Sequence, residues 1–347
     1  MTYISIILST FNHEKTVGQC LESIIAQENA DLQMECIIID DCSTDETLPI
    51  IRHIVGGYAG NISFRIFRHQ SHHGLSRSRN TGLQRAEGLY VLFVNGADML
   101  RFGCIDTYMV SLMRHWNVDV LAGNAYNISL RRNLFSNITS ALELHGRGEE
   151  LFHEMIRNHL YLYANNKLVR RELLQANQTL FSEQMAYGDI QWTFDLFANV
   201  SSVVLLPDVT YEYGIHETHS IGHAEKWVNA LLSSYTATCD NLLDKAPRPE
   251  SSDGGYYLAH QLLVYGLLTH ADMLVKEYSV NSQVKRELST VRSRLVNQTK
   301  NDGQRSLHLF FRQDGSIISA LLRNPTFKNY RNVVKEITNF LDVLIGR

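Results

Sequence analysis

The sequence predicts an α/β protein: a mostly parallel sheet flanked by helices, followed by a helical C-terminal region. Three observations predict it. Short β-branched runs alternate with helical patterns through the first hundred residues, a mixed pattern follows to about residue 222, and the rest is helical in pattern with breaks at 245–255 and at Asn324-Pro325. The alternation is the signature of parallel strands joined by helical crossovers.

Residues 4–8 form the first strand. A helix over about 14–26 follows, because Val17, Cys20, Leu21, Ile24 and Ile25 recur at helical spacing. Residues 36–39 are the second strand, after which Ser43 and Glu46 have the spacing of a capping box opening a helix to about Val55. Gly56-Gly57 stops it. A third strand at 62–67, a helix at 75–86 and a fourth strand at 90–94 complete the alternating part. Beyond lie a helix near 105–115, a strand near 118–122, helices near 147–160 and 189–198, and two strands at 202–206 and 209–213. In such sheets ligands sit at the carboxyl ends of strands, so the loops at 9–12, 40–45 and 95–98 are expected to share one crevice.

The 347 residues carry a formal charge of −4, without the basic footprint of a nucleic-acid binder. Five cysteines, an odd number without metal-site spacing, read as reduced thiols. No apolar run reaches the length of a membrane span, and the first residues enter a strand without a charged leader. A cytoplasmic protein is expected, with contact at the inner face of the cell membrane as the peripheral alternative.

The string from Ile4 to Asn12 with Glu14, the stretch CIIIDDCSTDET from Cys36 to Thr47, and GLSRSRNTGLQRAEGLYVLFVNGAD from Gly74 to Asp98 together resemble the inverting family 2 glycosyltransferases of GT-A fold. The resemblance extends over about 1–222. It implies a glycosyltransferase domain with a nucleotide-binding half at 1–100 and an acceptor half at 101–222. Residues 223–347 then serve packing, oligomerisation or membrane association; amphipathic patterns around Ile317 to Leu322 and Val333 to Ile345 suit any of these.

The resemblance assigns roles to individual residues. Thr10, Phe11, Asn12 and Glu14 lie in the base-cradling turn, with Ser9 and Phe11 where the family has proline and tyrosine. Asp41 ends a buried strand, where a carboxylate can accept the imide N–H that distinguishes uracil from cytosine; helix capping is its plain alternative. Arg79 matches an arginine that contacts the nucleotide. Asp189, in the stretch from Phe181-Ser182-Glu183 to Tyr187-Gly188-Asp189, matches the general base that takes the proton of the acceptor hydroxyl. A negative charge in a helix's first turn is the plain reading there too.

One strand ending departs from the pattern. Where the family has a cluster of acids for a divalent metal, this chain has Asn95-Gly96-Ala97-Asp98. Asn95 can still bond a ribose hydroxyl, and Asp98 can face the diphosphate. Ala97 replaces the usual ligand, so any Mn²⁺ or Mg²⁺ would depend on Asp98 and on His216, with His219 and His223 as weaker candidates.

The implied function is transfer of a sugar from a nucleotide sugar, a UDP-sugar first, to a glycan or lipid-linked hydroxyl of a bacterial surface polysaccharide, forming a β-linkage. The alternative is a GT-A-fold binding or scaffold protein with a degenerate metal motif. A nucleotidyltransferase is disfavoured because no glycine-rich phosphate loop follows the first strand. The expected partners are the donor, the acceptor and a second copy of the chain.

Overall fold

The structure is a computed structural model that describes residues 3–128, 131–133, 138–146, 151, 163–183, 188–214, 221–245 and 254–301. The chain divides into two compact units. One holds the described residues through His145, Tyr163–Glu183 and Trp192–Gly214. The other holds Gly188–Gln191 and the helices from Ile221 onward.

The first unit is built on one sheet. Its first strands are β1 (Ile4–Thr10), β2 (Met34–Asp40), β3 (Ser63–Arg68) and β4 (Tyr90–Asn95), separated by α1 (Val17–Ile25), α2 (Thr47–Gly57) and α3 (Leu75–Leu83). Every residue of β1 and β2 is buried. That is what strands covered on both faces require, and it is why they read as unbroken apolar runs.

Then come β5 (Met99–Leu100), α4 (Cys104–Arg114), β6 (Val120–Asn127), β7 (Arg132–Asn133), β8 (Leu142–His145), β9 (Lys167–Arg170), α5 (Arg171–Ala176), α6 (Gly188–Asn199) and β10 (Ser202–Tyr213). The sheet runs β3-β2-β1-β4-β9-β6-β10-β5, with β7 on β6 and β8 on β10. The four leading strands are parallel, as are β6 and β10, whereas β9 runs antiparallel between β4 and β6. Thr10 stands beside Asp40 and Ser9 beside Asn95, so three strand ends come level.

Three local expectations are corrected. Ser43 does not cap a helix: α2 starts at Thr47, whose amide bonds Asp45 Oδ1 at 3.0 Å, while Ser43 Oγ accepts the Asn12 amide at 3.0 Å. The expected pair of strands at 202–213 is one strand, whose register with β6 slips between Leu205 and Val209, around Pro207. Proline has no N–H for the ladder, so the slip absorbs it. Third, β9 lies in a stretch where no strand is expected. The helix expected near 147–160 and the amphipathic patterns beyond 301 fall outside the described residues.

The second unit contains α7 (Ile221–Lys245), α8 (Gly254–Glu277) and α9 (Ser282–Asn301). Val228, Leu231, Leu232, Leu242, Val264, Leu267, Ala271 and Leu274 are buried, as expected of helices packed on apolar faces. Tyr235 and His270 Nδ1 meet at 3.0 Å between α7 and α8. Asn281 caps α9, its Oδ1 accepting the Val284 amide at 2.8 Å. Among the described residues no helix is long and apolar enough to cross a membrane. All five cysteines are unpaired: Cys20, Cys36, Cys104 and Cys239 are buried and Cys42 is half-buried.

Helix α3 lies unusually close to the sheet, since a Cβ on Gly82 would strike the Ile7 side chain. Gly82→Ala should therefore destabilise the protein by about 1–3 kcal/mol, read as a lower urea midpoint with an unchanged slope.

Candidate nucleotide site at the strand ends

The crevice begins where β1 and β2 stop. Asn12, in the left-handed region at φ 53°, turns the chain after Phe11. Its Oδ1 accepts the Thr44 amide at 2.9 Å, and Glu14 accepts the Glu46 amide at 3.1 Å while its own amide bonds Asp45 at 3.1 Å. The loops after β1 and β2 are thus bound to each other, and Asn12 and Glu14 do that joining. Thr10 is buried, its Oγ1 3.3 Å from His13 Nδ1.

Asp40 and Asp41 have different duties. Asp40 is fully buried, takes the Ser43 amide and pairs with Arg68 Nε at 3.2 Å. Asp41 points at the start of α3. Its carboxylate accepts the amides of His73 at 3.0 Å and Gly74 at 2.7 Å, and the ring Nδ1 of His69 at 2.7 Å; His72 Nδ1 lies 2.9 Å away. Burial by itself would raise the Asp41 carboxyl, but the His69 bond, the two amides and the His72 ring outweigh it and hold the group below the usual carboxylate range. An ionised carboxylate only accepts, so the His69 Nδ1 bonded to it carries a proton. Phe11 lies against His72, with ring centroids 4.0 Å apart and planes tilted by 31°.

Arg79 is buried inside the unit. Its guanidinium lies over the Phe181 ring, 4.9 Å from the centroid, and donates to Asn165 Oδ1 at 2.7 Å. Asn80 beside it exchanges two 2.9 Å bonds with the backbone of Phe181. Glu183 pairs with Arg77 at 2.8 Å.

The turn after β4 is held from below. Asp98 is 1% exposed; its Oδ2 accepts the Tyr211 hydroxyl at 2.8 Å and the Asn165 amide at 3.3 Å, and its Oδ1 accepts the Gly214 amide at 2.9 Å. Burial first, then the Asp98 charge, pushes the Tyr211 phenol well up, so it remains a donor. Asn95 ends β4 half-buried, its carbonyl closing the turn onto the Asp98 amide at 2.9 Å. Gly214 is irreplaceable by geometry, because a Cβ there would collide with the Ala97 carbonyl.

A hard divalent cation needs several oxygen or nitrogen ligands at one point. Ala97 offers none, both Asp98 oxygens already face protein donors, and no group of three His, Cys, Asp or Glu suited to a metal occurs among the described residues. The described residues do not compose a metal site. His216 and His219 lie outside them, and of the His223 side chain nothing is described. Asp189 sits half-buried in the first turn of α6, within the second unit.

The partners of Asp41 and Asp98 are what sequence reading missed. The signal for the first set was the His72-His73-Gly74 string before α3; Tyr211 and Gly214 carried no local signal.

Parallel strand ends that gather an ionised carboxylate, a flat ring and a helix start mark an α/β domain with a ligand crevice at the carboxyl edge of its sheet. The model of Glycosyl transferase family 2 matches residues 5–177, and the chain belongs to that family. It is 25% identical over 218 residues to the poly(ribitol-phosphate) beta-N-acetylglucosaminyltransferase TarS of Staphylococcus aureus, covering 61% of this chain and 35% of that one. Similarity to the glycosyltransferase GlyA of Streptococcus pneumoniae is 25% over 277 residues, 76% of this chain and 36% of the other. The chain thus spans about a third of the length of these relatives. The crystal structure of S. aureus TarS 1-349 in complex with UDP-GlcNAc superposes with a TM-score of 0.68 at 18% identity, over 99% of this chain and 92% of that one, which shows the fold.

Because its carboxyl is held low, Asp41 adds stability above the ordinary carboxylate range, and that contribution is lost as pH falls through its folded value. Wild type should melt above Asp41→Asn at neutral pH, and the gap should close below about pH 4 in melts followed by circular dichroism. Tyr211→Phe removes one donor from the buried Asp98 and should cost about 1–3 kcal/mol by urea unfolding.

Proposed function

We propose that the chain is an inverting glycosyltransferase that takes a sugar from a UDP-sugar and forms a β-linkage to a glycan or lipid-linked hydroxyl of a bacterial surface polysaccharide. The observation that carries this reading is Asp41: an ionised carboxylate at the end of a parallel strand, with the Phe11 ring in the adjoining loop. A uracil offers a ring N–H to the first and a flat face to the second. Support for UDP comes from the solved relative that holds UDP-GlcNAc, and support for the acceptor class from relatives named for poly(ribitol-phosphate) and for teichoic acid poly(glycerol phosphate).

In this mechanism Phe11 and Asp41 seat the base, and Thr10, Asn12 and Glu14 shape the loop around it. Asn95 faces the ribose hydroxyls, with an amide able both to donate and to accept. Asp98 positions the Asn95–Asp98 turn toward the diphosphate, and Arg79 holds Asn165 against Asp98. Asp189, matched to the family's aspartate, removes the proton of the acceptor hydroxyl as its oxygen attacks the anomeric carbon opposite the departing UDP. That in-line displacement inverts the centre. The 223–347 region serves packing, self-association or peripheral contact with the cytoplasmic face of the membrane, where a lipid-linked acceptor is presented.

The experiment is release of UDP from a panel of UDP-sugars against a polyol-phosphate or lipid-linked acceptor, with and without EDTA. Asp189→Asn should retain UDP binding and lose at least about a hundredfold in turnover, and an active, folded variant refutes the assignment. Asp41→Ala should weaken UDP by about ten- to a hundredfold in calorimetry. Nucleotide binding without turnover on any donor would favour the scaffold reading, which Ala97 motivates.

A further inference from the structure

The Asp41 carboxylate is already crowded. A carboxylate has about four lone-pair sites, and four groups converge on this one: the His69 ring and the amides of His73 and Gly74 by hydrogen bonds, and the His72 ring by a close contact of its Nδ1. Three of them belong to the architecture. The two amides are backbone at the start of α3, and the His69 ring is 12% exposed, with its second nitrogen 3.1 Å from Thr81 Oγ1. His72 differs, since its side chain is 55% exposed and the contacts it makes are the Asp41 oxygen and the face of Phe11.

Those two contacts are the ones a nucleobase needs. A flat aromatic ring lies against Phe11 at 4.0 Å, and a ring nitrogen stands 2.9 Å from Asp41 Oδ2. We propose that His72 is a resident stand-in for the base: its imidazole fills the base seat in the empty protein, and the arriving uracil displaces it. This rests on the nucleotide-binding reading above and adds a competitor to it. On displacement Asp41 exchanges one ring nitrogen for another and Phe11 one flat face for another. The base alone then gains little, and ribose and diphosphate supply most of the affinity. The seat also stays organised between turnovers, because the Asp41 charge and the Phe11 face are never left bare.

The test is calorimetric titration of uridine and of UDP into wild type, His72→Ala and His72→Asn. His72 is exposed, so both variants are expected to fold. His72→Ala should bind uridine and UDP more tightly, each by roughly three- to tenfold, the value of one polar contact and one ring contact that no longer have to be broken. His72→Asn, without a ring to stack, should fall between. In wild type the His72 imidazole resonances should move on adding UDP to the positions of a solvated ring. Unchanged or weaker UDP binding by His72→Ala overturns the proposal and leaves the nucleotide site standing. So does tightening for UDP without uridine, which would place the effect at the phosphates. Failure of UDP to bind any variant overturns the nucleotide reading itself, and this proposal with it.

Discussion

The burial of the Asp98 carboxylate is the constraint on which the crevice depends. A charge that is 1% exposed is tolerable only if its lone pairs are met, and three of its donors come from distant parts of the chain. Tyr211 and Gly214 bring the end of β10, and Asn165 brings the segment leading into β9. Asn165 in turn accepts from Arg79, itself buried over Phe181, so α3 is drawn into the same network. One carboxylate fixes the Asn95–Asp98 turn to the far strand, the adjoining segment and a helix. Both of its oxygens thereby serve the fold.

Much of this was legible in the sequence, and the reasons for success and failure are physical. β1, β2 and β4 were readable because parallel strands covered on both faces are continuous apolar runs. β9 was not: it is four residues long and begins with Lys167, a residue that reads as surface. In the fold Lys167 is fully buried and its ammonium donates to the Tyr163 carbonyl. β10 read as two strands because Pro207-Asp208 interrupts its apolar pattern, an interruption the register slip conceals in space.

The site divides along the same line. Phe11, Asp41 and the Asn95–Asp98 ending were visible because each motif is contiguous. Their partners were not, because hydrogen bonds to Asp41 span up to 33 residues and those to Asp98 up to 116. Arg79 shows how far a motif alone carries: the Arg-Asn-x-Gly string was recognisable, but only the fold reveals that the guanidinium faces an amide and a phenyl ring within the core and that the glycine admits Ile7.

Cys42 follows Asp41 directly and, at φ 66°, holds its backbone in the left-handed region. The other four thiols are buried and have their acidity suppressed by burial, which leaves them unreactive in the folded molecule. Thiol-directed labelling of native protein is thereby confined to the Cys42 sulfur, next to the carboxylate of the crevice. A fluorophore attached there would report occupancy of the crevice without any engineered cysteine.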